Sequence, residues 1–254
     1  MSHKINIKIK KVLIVGLGLI GSSLCRDLKK NSSYEKIYGY DIDEDVMQYA
    51  LNSNYVHGIK KNLKEGIEDS DLIVLCVPVN VIKEVLNTAK YFFNGDKIFT
   101  DTLSSKRSIL SFLTDNNLLD TKNLILSHPM AGTENFGIYN SKENLFEQAN
   151  TFICSLEFSD NDKYNEVDLL WKSVGSHTKN IPTDNHDELI TFLSHGPHAI
   201  SFVLSNITPL LKDHPWTNTK GSLAEMIRVA NSDPEAWANI FKDCLLYTSP
   251  SPRD

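Results

Sequence analysis

The patterned part of the chain opens with an unbroken apolar run, VLIV at 12–15, which passes directly into GLGLIG and then into helix-compatible residues at 22–30. An apolar run without alternation is the pattern of a strand buried on both faces of a parallel sheet. Further strand-like segments follow at 36–40, 71–77, 97–100, 124–126, 151–155 and 179–182, and helical apolar spacing lies between several of them, as at 81–92. Crossovers of helical length between such strands predict an α/β fold with a doubly wound, mostly parallel sheet. Beyond residue 184 the character changes. Positions 187–211 carry a helical pattern interrupted at Gly196-Pro197, and 223–240 read as further helix with a break at SDP.

The junction at 16–21 adds chemistry to this pattern. Gly16, Gly18 and Gly21 stand where a buried strand turns into a helix, and each has a separate task there: a tight turn, close approach of backbone N–H groups to a pyrophosphate, and close helix–strand packing. The backbone of Gly16, Gly18, Leu19, Ile20 and Gly21 is therefore the expected cofactor cradle. The second strand ends in Asp41, about 20 residues after the last glycine, where a carboxylate accepts hydrogen bonds from ribose hydroxyls. No Arg follows closely, and Asp43, Glu44 and Asp45 repel a 2′-phosphate, so NAD is expected rather than NADP. The competing structural reading makes Asp41 a cap for the helix starting near Glu44. Val77 and Pro78, after the strand at 71–77, belong to the loops that face the cofactor.

These signals divide the chain into a Rossmann-type domain at 1–183 and a smaller all-helical domain at 184–246, beginning at a cap residue Asp184 or Asn185. The stretch 247–254, YTSPSPRD, is expected to be an unstructured end that replaces the natural C-terminus and leaves the helical domain truncated. About 60 residues make a marginal core, so the helical domain is expected to pack on the first domain or on a second subunit.

Composition narrows the partners. The 254 residues are 41% hydrophobic and carry a net charge of −6 with no basic run, which argues against nucleic acid and for a small-molecule ligand. No stretch approaches the ~18 apolar residues of a membrane span. Cys25, Cys76, Cys154 and Cys244 are scattered without a CxxC, and the first residues lack an apolar signal, so a reducing cytoplasm is expected.

Four sets of residues are candidates for the site. His128, directly after a strand in SHPMAGTE, can take a proton from a hydroxyl as hydride leaves the same carbon. Ser104 can hydrogen-bond the same hydroxyl or cap the following helix. His186, His195 and His198 have spacings that invite a metal reading, but Gly196-Pro197 disturbs the helical geometry and hydride transfer to NAD requires no metal, so none is expected. Arg228 is suited to bidentate carboxylate binding.

In order along the chain, GLGLIGSSL, YDID, LCVP, DTLSSK, SHPMAGTE, SHGPHAISF and IRVANSDPEAWANIF resemble the prephenate dehydrogenase family of tyrosine biosynthesis, from about residue 11 to 241. The resemblance implies oxidative decarboxylation of prephenate to 4-hydroxyphenylpyruvate with CO2 and NADH, in a homodimer held by the helical domain. It places His128 as the catalytic histidine and Ser104 as the serine that positions it. It also places Arg228 on a substrate carboxylate, Thr133 and Glu134 beside the catalytic histidine, and His186, His195 and His198 around the cleft. Leu103 stands where the family has Gly, which leaves Ser105 able to share or take the role of Ser104. Arogenate as substrate, or a truncated and catalytically impaired NAD-binding fragment, are the alternatives.

Overall fold

The structure, a computed structural model, describes residues 9–32, 34–133, 135–207 and 221–248. The apolar run forms β1 (Lys11–Val15), flanked by parallel β2 (Lys36–Tyr40) and β4 (Leu72–Leu75). β3 (Gly58–Ile59) pairs with β2 and β5 (Ile98–Asp101) with β4, giving a parallel sheet of order β3-β2-β1-β4-β5. Successive residues of β1 point to opposite faces: Val12 and Ile14 join one core cluster, Leu13 and Val15 the other. Both faces are thus covered, which is why this strand shows no polar alternation.

The chain then continues through β6 (Leu126–Pro129), β7 (Asn150–Cys154) and β8 (His177–Asn180). β6 runs antiparallel to β7, the exception to the parallel pattern, while β7 and β8 are parallel. A parallel bridge between Phe99 and Leu124 brings this second sheet alongside β5. His128 is on β6 rather than after it, because pairing with Phe152 of β7 carries the strand on to Pro129. The two-residue β3 was not anticipated, being too short to show a period.

Helices α1 (Leu19–Asn31), α2 (Glu44–Asn52), α3 (Leu63–Glu68), α4 (Ile82–Ala89), α5 (Arg107–Asp115) and α6 (Asn161–Ser173) accompany the sheets. After them come α7 (Thr183–Ile190), α8 (Gly196–Ile207), α9 (Ser222–Ala230) and α10 (Pro234–Thr248). The interruption read at Gly196-Pro197 is a π turn over Thr191–His195 that joins α7 to α8, with the Gly196 N–H bonded to the Thr191 carbonyl. Pro197 has no N–H and its ring crowds the carbonyl four residues back, so the helix widens locally. α7 starts at Thr183 after Pro182, without the side-chain cap expected from Asp184 or Asn185. α10 runs on to Thr248, two residues into the end expected to be unstructured; the remainder of that end, 249–254, lies outside the described residues.

Two carboxylates of the helical unit dock on the N-terminus of α5. Asp187 of α7 accepts the backbone N–H groups of Lys106 and Arg107, and Asp243 of α10 accepts the N–H and hydroxyl of Ser108. They satisfy donors that a helix start leaves orphaned and complement its dipole. Cys154 is buried and Cys76 half-buried at the end of β4, and burial pushes both thiols up to about 12. Among the described residues, no helix is long and apolar enough to cross a membrane.

Candidate active site

The sheet order reverses between β1 and β4, and a cavity of about 720 Å³ opens beyond the carboxyl ends of these strands. Gly16, at φ +92, brings the turn so close to the β4 end that a Cβ would meet the Cys76 carbonyl at 2.5 Å. At Gly21 a Cβ would stand 1.9 Å from the Gly16 carbonyl, so the helix can begin there only without a side chain. Gly18, by contrast, faces open space on the cavity wall and precedes α1 without a side-chain cap. The first N–H groups of α1 are therefore presented to the cavity, a cradle suited to a pyrophosphate.

Leu19, Ile20, Asp41, Val77 and Pro78 line the same cavity; Gly21 stands behind its wall. The Asp41 carboxylate accepts the N–H of Leu17 at 2.7 Å and that of Asp43 at 3.1 Å. A carboxylate has about four lone-pair sites, so acceptor capacity remains for ribose hydroxyls. The cap of α2 is Asp43, not Asp41: its side chain accepts from Asp45 and Val46.

A second cavity, of about 650 Å³, adjoins the first, and both are lined by Ser104 and His128. Thr133, His198 and Arg228 also line the second, with Met130, Ser194 and Trp237. The His198 ring stacks on Trp237 at 3.7 Å between centroids, and its Nδ1–H donates to the Ser194 carbonyl at 2.9 Å. Arg228 reaches the cavity from α9 with its Nε donating to Glu225 at 3.1 Å. Glu134 lies outside the described residues.

The two residues at the seam are held from behind by a buried ion pair. Lys106, fully buried, donates its ammonium to the Asp101 carboxylate, to the Leu103 carbonyl at 2.7 Å and to the Ser127 carbonyl at 2.7 Å. Leu103 precedes Ser104 and Ser127 precedes His128, so one cation braces both. Asp101 completes the brace by accepting the N–H groups of Leu103 and Ser127. Ser105, the open alternative to Ser104, is buried and gives its hydroxyl to Asp187 at 2.9 Å.

Two histidines expected around the cleft are elsewhere. His186 is buried off both cavities, with Nε2 at 3.0 Å from Nδ1 of His128 and Nδ1 at 2.7 Å from Asp187. His195, the last residue of the π turn, is buried edge-on to Trp237, 5.8 Å between centroids. Burial drives its pKa down to about 4. Burial likewise holds His128 well below the ordinary imidazole range, aided by the charge of Lys106. His186 is lowered by burial, partly opposed by its bond to Asp187. Among the described residues, no group of three or more His, Cys, Asp or Glu is disposed to hold a metal ion.

Lys106, Asp187 and Trp237 were not singled out in the sequence. Lys106 and Asp187 stand two residues from Ser104 and one from His186, but a charged residue beside a site residue is ordinarily solvated, and spacing does not show whether it is buried.

The family model described as "Prephenate dehydrogenase, nucleotide-binding domain" matches residues 24–180, and that described as "Prephenate dehydrogenase, dimerization domain" matches 182–244. A cyclohexadienyl dehydrogenase of Zymomonas mobilis is 29% identical over 95% of this chain and 82% of its own length. A prephenate dehydrogenase of Lactococcus lactis is 31% identical over 91% of this chain and 64% of its own, so the chain spans under two thirds of that relative. Among solved structures, the prephenate dehydrogenase of Aquifex aeolicus in complex with hydroxyphenyl propionate and NAD+ superposes with a TM-score of 0.83 at 27% identity, covering 95% of this chain and 85% of that one. With a nucleotide cradle, a buried histidine beside a second cavity, and family matches across both units, the chain belongs to the prephenate dehydrogenase family of oxidoreductases.

Proposed function

We propose that this protein oxidatively decarboxylates prephenate to 4-hydroxyphenylpyruvate, with NAD as the acceptor. The observation that carries this reading is the placement of His128 and Ser104 on the wall shared by the dinucleotide cavity and the second cavity. A substrate in the second cavity would there present its ring hydroxyl to both residues. Asp41, the α1 N-terminus and the loop at Val77 and Pro78 would hold the cofactor, which when bound supplies a nicotinamide able to accept hydride.

Neutral His128 takes hold of the hydroxyl proton as hydride leaves the carbinol carbon, and Ser104 fixes the oxygen by a hydrogen bond. The electron pair of the ring carbon–carboxylate bond then flows into the ring as CO2 departs, and His128 returns the proton to the phenol oxygen. Arg228 is assigned to the side-chain carboxylate, which persists through the reaction and orients the ring; a tight grip on the departing carboxylate would instead oppose its loss. Thr133, Glu134 and His198 are assigned to substrate binding, as the resemblance implies, and the two buried histidines to its support.

The direct test is NADH formation at 340 nm from purified protein with NAD and either prephenate or arogenate. Turnover with prephenate supports the reading, turnover with arogenate alone moves the substrate assignment, and silence with both refutes it. Two variants separate the subsites. Arg228→Ala is expected to raise KM for substrate roughly tenfold or more, the scale of a lost hydrogen bond to a charge, with KM for NAD unchanged. Asp41→Ala is expected to do the reverse and to relax discrimination against NADP. Parallel loss of both affinities in either variant would indicate a folding defect.

The proposed assembly is a homodimer through the helical unit. Phe192, Leu193, Ile200 and Val203 of this unit stand exposed in the single chain, apolar surface that a second copy would cover. Light scattering should give twice the chain mass; a monomer at micromolar concentration would contradict the assignment.

A further inference from the structure

We infer that Asp187 is a positioning residue that sets the protonated nitrogen of His128, through His186, and at the same time seats the loop bearing Ser104. The inference deepens the proposed reaction and rests on it for its kinetic consequence, but its geometry is independent of turnover.

Asp187 receives four donors. Its Oδ1 accepts from His186 Nδ1 at 2.7 Å and from the Lys106 N–H at 2.9 Å; its Oδ2 accepts the Ser105 hydroxyl at 2.9 Å and the Arg107 N–H at 3.2 Å. A carboxylate only accepts, so the proton between Asp187 and His186 belongs to His186 Nδ1. Neutral His186 then has a bare lone pair on Nε2. The 3.0 Å contact between that nitrogen and His128 Nδ1 can only be a donation from His128. His128, neutral, therefore carries its proton on Nδ1 and leaves Nε2 as the acceptor for a substrate hydroxyl. When His128 gains the proton, the resulting imidazolium keeps its Nδ1–H on His186 Nε2, and the Asp187 carboxylate behind His186 stabilises the charge through two hydrogen bonds already in place.

The charged groups facing His128 agree with this assignment. Lys106, from the turn before α5, with His186 of α7 and His195 of the π turn, disfavours the imidazolium in the resting state. Asp101 is engaged by Lys106, and Asp187 is the carboxylate in line with the imidazole pair. Burial pushes Asp187 up, but the hydrogen bonds from His186, Lys106 and Ser105 outweigh it and keep the carboxyl below its ordinary range.

Asp187→Asn changes one atom and reverses the chain. An amide N–H facing His186 Nδ1 selects the other tautomer, which donates from Nε2 to His128 Nδ1 and leaves His128 protonated on Nε2, unable to accept. In the serine-protease triad the equivalent replacement costs about 10⁴-fold in kcat for this reason. Here kcat is expected to fall about 10²-fold or more, with NAD affinity and substrate KM within a fewfold of the parent and the acid limb of the pH–rate profile displaced. A parallel loss of NAD affinity, or an unchanged kcat, would overturn the inference.

The tautomers are read without turnover by nitrogen NMR of 15N-histidine-labelled protein, with His128 and His186 assigned by single replacement. Both rings are expected to carry the proton on Nδ1. A His128 protonated on Nε2 in the parent protein refutes the relay, even if Asp187→Asn fails to fold. The expected tautomers in a protein that turns over neither prephenate nor arogenate refute the proposed reaction and leave the relay standing.

Discussion

His128→Asn is expected to lower kcat by about 10² to 10⁴-fold, the range lost with a positioned acid–base group, while leaving NAD affinity within a fewfold of the parent. Asparagine is short enough for the site and its amide can still donate toward His186, so the fold should tolerate it. What it lacks is a nitrogen lone pair able to hold a proton at the seam of the two cavities. The same reasoning sets the pH dependence. Burial and the Lys106 charge hold His128 well below the ordinary imidazole value, so the free base persists as pH falls through about 6.5. The kcat/KM profile should keep its plateau there and fall only at more acid pH. An acid limb above 6.5, or near-normal turnover in the variant, would remove His128 from the role. For stability the sign is parallel. The folded pKa lies below the unfolded one, so the contribution is present above about 6.5 and is lost as pH falls toward the folded value.

The second large effect is on stability. Lys106 and Asp101 are both fully buried and meet as an ion pair, with the remaining ammonium donors on the carbonyls of Leu103 and Ser127. Removing one partner leaves the other as an uncompensated charge, at a cost of about 3–5 kcal/mol. Lys106→Met, close in volume, should therefore lower Tm by roughly 10 °C, taking about 2–4 °C per kcal/mol for a chain of this size. Replacing both partners, with Lys106→Met and Asp101→Asn together, should recover part of the loss because no buried charge remains. Thermal melts of the two single variants and the double variant check this. Strictly additive losses would mean that the pair contributes no coupling. The lysine also braces the residues before Ser104 and His128, so the single variant should lose kcat even at temperatures where it is folded.

Both effects concern residues whose importance depends on what lies behind the cavity wall. The dinucleotide cradle was legible because everything that makes it is local. A strand buried on both faces, glycines at fixed offsets and an acid at the end of the next strand are all within about 30 residues, and each leaves its mark on composition. Asp41 is where the spacing placed it, on the cavity wall. His128 and Ser104 could be named from their places near strand ends, since ligands in doubly wound sheets bind at the carboxyl edge. The break at Gly196-Pro197 was visible for the same reason, a proline constraint acting within one turn.

The sense of β6 was not legible, because an apolar run has the same pattern whether its neighbour runs parallel or antiparallel. The fates of the three helical histidines were also closed to it. Spacing says which residues share a helix face, but not which face meets α5, which opens on a cavity, or that His195, at the end of a π turn, is buried. Thus the sequence alone determined the main alternation of strands and helices, the Gly-rich turn after the first strand and the chemical types of the candidate residues, all products of short-range geometry. Only the tertiary structure decided that Lys106 is a buried brace, that His186 stands behind His128, and that Asp187 joins the helical unit to the start of α5. Those contacts join residues 58 to 82 positions apart or fold a charge out of water, and neither leaves a period in the chain.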